Sequence, residues 1–108
     1  MKNTIKDRLA ISSLLPREGD MVTLILARDI KKKVDLTQEL MKEVNFRAEG
    51  NNFIWNEEKE PADIIFTEAE INLLKKKIQE LEKSKKLLLE NLDLYKKINE
   101  WKEEPVDK

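Results

Sequence analysis

Thr67-Glu68-Ala69-Glu70-Ile71-Asn72-Leu73-Leu74 opens the stretch on which the fold turns. Threonine followed three residues later by glutamate, directly before an apolar run, is a capping box, in which each side chain satisfies a backbone N–H that the first helical turn leaves unpaired. Ile71, Leu74, Ile78 and Leu81 then recur at alternating steps of three and four, and the register continues through Lys85 to Leu88, Leu92 and Tyr95. One unbroken helix over 67–103 would be about 55 Å long. That is too long to lie against the core of a 108-residue chain along its whole length. Two outcomes stay open. The helix projects and pairs with another copy as a coiled coil, or it breaks at Glu82-Lys83-Ser84-Lys85-Lys86 and folds back as a helical hairpin. Four of those five residues are charged, Lys85 sits in the apolar seam, and Ser84 can cap a new helix. Beyond them the apolar face changes, with Leu87, Leu94, Ile98 and Trp101 joining Leu88, Leu92 and Tyr95.

Upstream of Thr67 the period is two. Val44, Phe46 and Ala48 alternate with Asn45, Arg47 and Glu49, Gly50-Asn51-Asn52 supplies turn residues, and Phe53 and Trp55 flank Ile54 on the return. This predicts a β-hairpin, and 62–66 is a candidate third short strand. Nearer the N-terminus the period returns to that of a helix. Thr4 caps a helix carrying Ile5, Leu9, Ile11, Leu14 and Leu15, which Pro16 ends. Pro16-Arg17-Glu18-Gly19 reads as a turn, and Asp20 caps a second helix with the stripe Val22, Ile25, Leu26, Ile30 and Val34. Leu24 lies off that stripe, which predicts burial on more than one side. A short third helix follows over 37–43, capped by Asp35 with Gln38 or by Thr37. The expected fold class is therefore α+β, mainly α. N-terminal helices pack with a small antiparallel β-hairpin or three-stranded sheet, followed by a long or hairpinned C-terminal helix. Residues 1–66 form the body, 67–103 the C-terminal amphipathic segment of the same domain, and 104–108 a frayed tail.

Composition narrows the function. The chain has no cysteine and no histidine, which removes thiol nucleophiles, histidine bases, thiolate zinc and imidazole metal sites together. Ser12-Ser13 lies within a predicted amphipathic helix with no histidine to serve as base, and reads as two polar helix residues. Glu57, Glu58, Glu60 and Asp63 invite a metal, yet they lack the ligand spacing and central glycine of a calcium loop. Gly19 and Gly50 stand alone, so no glycine-rich loop cradles a phosphate. The expectation is a protein that is not an enzyme, with no catalytic residues, no metal and no cofactor. The N-terminus lacks the pattern of a secretory signal and no apolar run reaches the length of a membrane span, which predicts a cytoplasmic protein that does not engage a membrane.

The charge is 21 basic residues against 22 acidic ones, but it is segregated. From Glu57 to Glu70 six acids face one lysine; from Lys75 to Lys86 six lysines face two glutamates. A basic stripe of Lys75, Lys76, Lys77, Lys83, Lys85 and Lys86 can track phosphates, so nucleic-acid binding is the alternative function. Phe46, Phe53 and Trp55 can stack bases, although carboxylates rather than arginines surround them and a packed core face fits them better. Against the stripe, Lys76 and Glu80, and Glu82 and Lys86, stand four apart, the spacing of salt-laced solvent faces. An acidic stretch beside a basic one is self-complementary when two copies pair antiparallel, which points to a two-fold dimer or a higher homo-oligomer. Leu88, Leu92, Tyr95, Ile98 and Trp101 gather more apolar surface than so small a body covers, and are the expected partner-binding residues.

Leu14-Leu15-Pro16 with Gly19, the lone Trp55 after a polar hairpin, Ile64-Ile65-Phe66-Thr67-Glu68-Ala69-Glu70 opening a leucine-rich helix, and Leu94-Tyr95 near its end together make the chain similar to a class of small accessory proteins of bacteriophages and prophages. The resemblance implies a host-interaction, regulatory or anti-defence role exercised by binding, with a host protein as a further partner. It carries over no functional residues, because the class has no defined site.

Overall fold

The computed structural model describes residues 1, 3–56 and 63–101 and is mainly helical with one small antiparallel sheet, an α+β fold. Thr4 accepts the Asp7 N–H at 3.0 Å while Asp7 accepts the Thr4 N–H, a capping box that opens α1 (Ile5–Leu14). Ile5, Ile11 and Leu14 face the interior together with Arg8, while Leu9 and Ser12 are exposed. Asp20 accepts the Thr23 N–H at 2.8 Å and starts α2 (Met21–Val34), whose Ala27, Ile30 and Val34 are buried. Arg8 Nη1 donates to the Lys33 carbonyl at 3.1 Å and so places a cation at the carbonyl-rich end of α2. Burial lowers the pKa of that guanidinium.

Thr37, not Asp35, caps α3 (Gln38–Glu43). α3 closes with Asn45 at φ 52°, and the Phe46 N–H donates back to the Met41 carbonyl at 2.8 Å. That left-handed step delivers the chain into β1 (Arg47–Glu49), paired antiparallel with β2 (Asn52–Ile54) in the register Arg47↔Ile54, Ala48↔Phe53 and Glu49↔Asn52. The turn is Gly50-Asn51, with Gly50 at φ 62°, the backbone conformation a two-residue hairpin turn takes at its first position. Among the described residues the sheet has two strands. The candidate third strand is irregular over its described residues 63–66, because the Ile64 N–H and carbonyl both pair with Met1, at 3.0 and 2.8 Å, instead of with the hairpin.

Thr67 and Glu70 form the expected capping box at the head of α4 (Glu68–Lys83). Glu70, 2% exposed, also accepts from Lys33 Nζ at 2.5 Å, so one carboxylate both caps α4 and ties it to α2. The break after α4 decides between the two outcomes the sequence leaves open. Lys85 adopts φ 57°, its N–H donates to the Glu82 carbonyl at 3.0 Å, and the Lys86 N–H donates to the Leu81 carbonyl at 2.8 Å. This paired arrangement is a Schellman motif, the usual way a helix stops. A 3-10 turn (Leu89–Asn91) and α5 (Leu92–Asn99) follow and fold back on α4. The molecule measures 42 × 35 × 26 Å, shorter than the unbroken helix would have been. The core joins Ile11 and Leu14 of α1, Ile30 and Val34 of α2, Ile64 and Phe66, Ile71, Leu74 and Ile78 of α4, and Leu94, Tyr95 and Ile98 of α5. The stripe of α4 is therefore spent within its own domain.

Candidate interaction surface

The turn from α4 into α5 is where apolar side chains and solvent meet. Leu87 packs partly against the core. The next backbone N–H, that of Leu88, donates to the Tyr95 hydroxyl at 3.2 Å, and Tyr95 itself is 4% exposed. Within the 3-10 turn the Glu90 carbonyl accepts from Lys6 Nζ at 2.9 Å, and beyond it Lys97 Nζ pairs with Asp7 at 2.9 Å. The loop is thus fixed to α5 at one end and to the start of α1 at the other. Held there, Leu88 is 53%, Leu89 86% and Leu92 47% exposed. Leu89 and Leu92 stand three apart across a 3-10 turn, the spacing at which side chains eclipse.

The five residues expected to bind a partner divide. Leu88 and Leu92 are on the surface, with Leu89 beside them. Tyr95 and Ile98 are in the core, and Trp101 packs partly against it. The physical reason is the break at Lys85: once α5 folds back, its face toward α4 is consumed by Leu94, Tyr95 and Ile98, and only the residues of the turn remain outside. Leu89 lies off both helical registers, so periodicity does not single it out.

The lysines are not brought together as one stripe. Lys76, Lys83, Lys85 and Lys86 are exposed, while Lys75 and Lys77 are half-buried. Three consecutive lysines, about 100° apart around a helix, point in three directions. Lys76 and Lys77 also line a cleft of 450 Å³ between the α1–α2 turn and α4, beside Glu80 of the same helix and opposite Glu18 and Asp20. Of the acidic stretch, Glu70 is paired with Lys33 inside the protein, Asp63 is exposed, and Glu57, Glu58 and Glu60 lie outside the described residues, as does the tail 104–108. Among the described residues no group of carboxylates is arranged to hold a metal ion, and no helix is long and apolar enough to cross a membrane. Phe46 stacks on Phe53 and Trp55, with ring centroids 5.2 and 5.8 Å apart, but Phe53 is 58% exposed and the trio is no part of the core.

A second apolar surface lies on α2. Met21 is 75%, Val22 68%, Ile25 41% and Leu24 37% exposed. Val22 and Ile25 belong to the stripe that the sequence placed inside, but α1 and α4 cover only the line through Ala27, Ile30 and Val34. The signal lies in Met21-Val22-Thr23-Leu24-Ile25-Leu26, apolar nearly all the way round, whose outer side no other described element covers. Comparison of the chain with family models, with curated proteins and with solved structures finds no match.

Proposed function

We propose that this chain is a non-enzymatic protein-interaction module that self-associates through the leucine cluster between α4 and α5. The observation that carries the reading is the exposure of Leu88, Leu89 and Leu92 on a backbone fixed at both ends. Ordering entropy is a main cost of binding, and a patch held rigid before contact loses little of it. A second copy suits this patch by charge. Lys85 and Lys86 precede the leucines, Glu90 lies among them and Asp93 follows them. Two copies related by a two-fold axis place each lysine pair against the other's carboxylates while the leucines meet at the centre. A stable dimer buries about 1,200–2,000 Å² in total, more than three leucines a side can supply, so these flanking charges belong to the footprint.

Sedimentation of the intact chain at tens of micromolar is expected to show a dimer. Leu88→Asp combined with Leu92→Asp should yield a monomer whose thermal melt is otherwise retained, since both side chains are largely outside the core. A wild-type chain that sediments as a monomer sinks the proposal.

A further inference from the structure

A groove of 340 Å³ runs between α1 and α2. Its floor is apolar, with Leu15, Leu24 and Ala27, and its charged lining is Arg17, Arg28 and Lys31, with no carboxylate among the lining residues. In a chain with net charge −1 this is a local concentration of three cations over an apolar base. Arg17 and Lys31 make no ion pair among the described residues, and Arg28 meets Asp29 at a long 3.5 Å, with the two side chains 62% and 43% exposed. Apolar surface continues outward from the groove along α2 through Met21 and Ile25.

We infer that this face of α2 docks an acidic amphipathic helix of a partner protein, one whose apolar residues are flanked by glutamates or aspartates. Charge complementarity sets the sign of the partner: the cations steer and orient carboxylates, while the leucine floor and Met21 and Ile25 take the apolar side. The extent of the surface sets the class. A small amphipathic anion that fills 340 Å³ would leave Met21 and Ile25 in water, whereas a helix laid along α2 covers them with the groove. A nucleic acid would satisfy the cations and leave the apolar side chains without partners. A second copy fits less well, because of the acids nearest this face Asp29 already pairs with Arg28, while Glu18 and Asp20 line the opposite cleft toward α4 and Asp20 caps α2. The inference is independent of the leucine cluster, since it involves none of its residues.

The test uses the full chain and two labelled synthetic helical peptides that differ only in charge, one of leucine and glutamate in amphipathic order and one with lysine for every glutamate. Fluorescence anisotropy is expected to show binding of the leucine–glutamate peptide, weakening as salt rises, and at least about tenfold weaker binding of the lysine peptide. Met21→Asp with Ile25→Asp should lower affinity for the acidic peptide by about tenfold or more. Arg28→Glu with Lys31→Glu should reverse the preference, so that the lysine peptide becomes the better ligand, while circular dichroism shows the helices intact. Equal binding of the two peptides, binding of neither, or a preference unmoved by the charge reversal overturns the inference. So does self-association that Met21→Asp with Ile25→Asp abolishes and Leu88→Asp with Leu92→Asp spares, because that assigns the face to a second copy.

Discussion

Lys85 holds φ at 57°, in the left-handed region where a side chain crowds its own backbone, and by doing so it ends α4 and sends α5 back across the core. Lys85→Gly relieves that crowding in the native state and should stabilise the protein by up to about 1 kcal/mol, after the extra freedom glycine gains in the unfolded chain is set against it. Urea unfolding reads the sign directly: a loss of stability would falsify the Schellman ending of α4. Asp20 gives a second prediction at this scale. Its hydrogen bond from the Thr23 N–H holds its carboxyl below the usual carboxylate range. A folded pKa below the unfolded one means stabilisation that is present above the unfolded value, about 3.9, and is lost as pH falls through the folded one. Titration of the Asp20 carboxyl by NMR should show a depressed midpoint, with the Thr23 amide shifting in step, and a midpoint at or above the ordinary value would contradict the cap. Thr4, Asp20 and Thr67 could be read from the sequence as caps because capping is local chemistry between neighbours. Lys85 could be seen only as a charge in an apolar seam, since the left-handed position is normally announced by glycine or asparagine.

At the scale of elements, α4 shows why its beginning was legible and its end was not. The Thr67–Glu70 box lies within four residues, but the choice between a projecting helix and a hairpin depends on whether Leu94, Tyr95 and Ile98 find a surface to cover, and α1, α2 and residues 64–66 supply that surface. The same dependence on distant partners explains α2, where periodicity counted Val22 and Ile25 with Ile30 and Val34, and tertiary packing covered only the second pair. Glu70 joins the two elements. Glu70→Ala removes both the acceptor for the Thr67 N–H and the partner of half-buried Lys33, and should cost about 2–4 kcal/mol in urea unfolding. Glu70→Gln, which keeps an acceptor for both donors, should cost clearly less. Equal losses for the two variants would show that the negative charge facing Lys33, which both variants lack, and not an acceptor of the right size, is what the site requires.

For the whole molecule, stability is unevenly shared. The core draws on α1, α2, residues 64–66, α4 and α5, and takes nothing from residues 36–56, although Val44 is itself 1% exposed. The hairpin is held by its own ladder, by the stack of Phe46 on Phe53 and Trp55, and by the left-handed step at Asn45. It should therefore open without unfolding the helices, as weakly anchored units do in many proteins. Hydrogen exchange should proceed faster at the ladder amides between Arg47 and Ile54 than at Ile71–Ile78 or Tyr95–Ile98. Two substitutions separate the units. Trp55→Ala should quicken exchange in the hairpin while changing global stability by no more than about 0.5 kcal/mol. Ile98→Ala, at a fully buried site, leaves a cavity where α5 meets the core and should cost about 2–4 kcal/mol. If Trp55→Ala instead lowers the global unfolding free energy as far as Ile98→Ala does, the hairpin and the helical body unfold together as one cooperative unit.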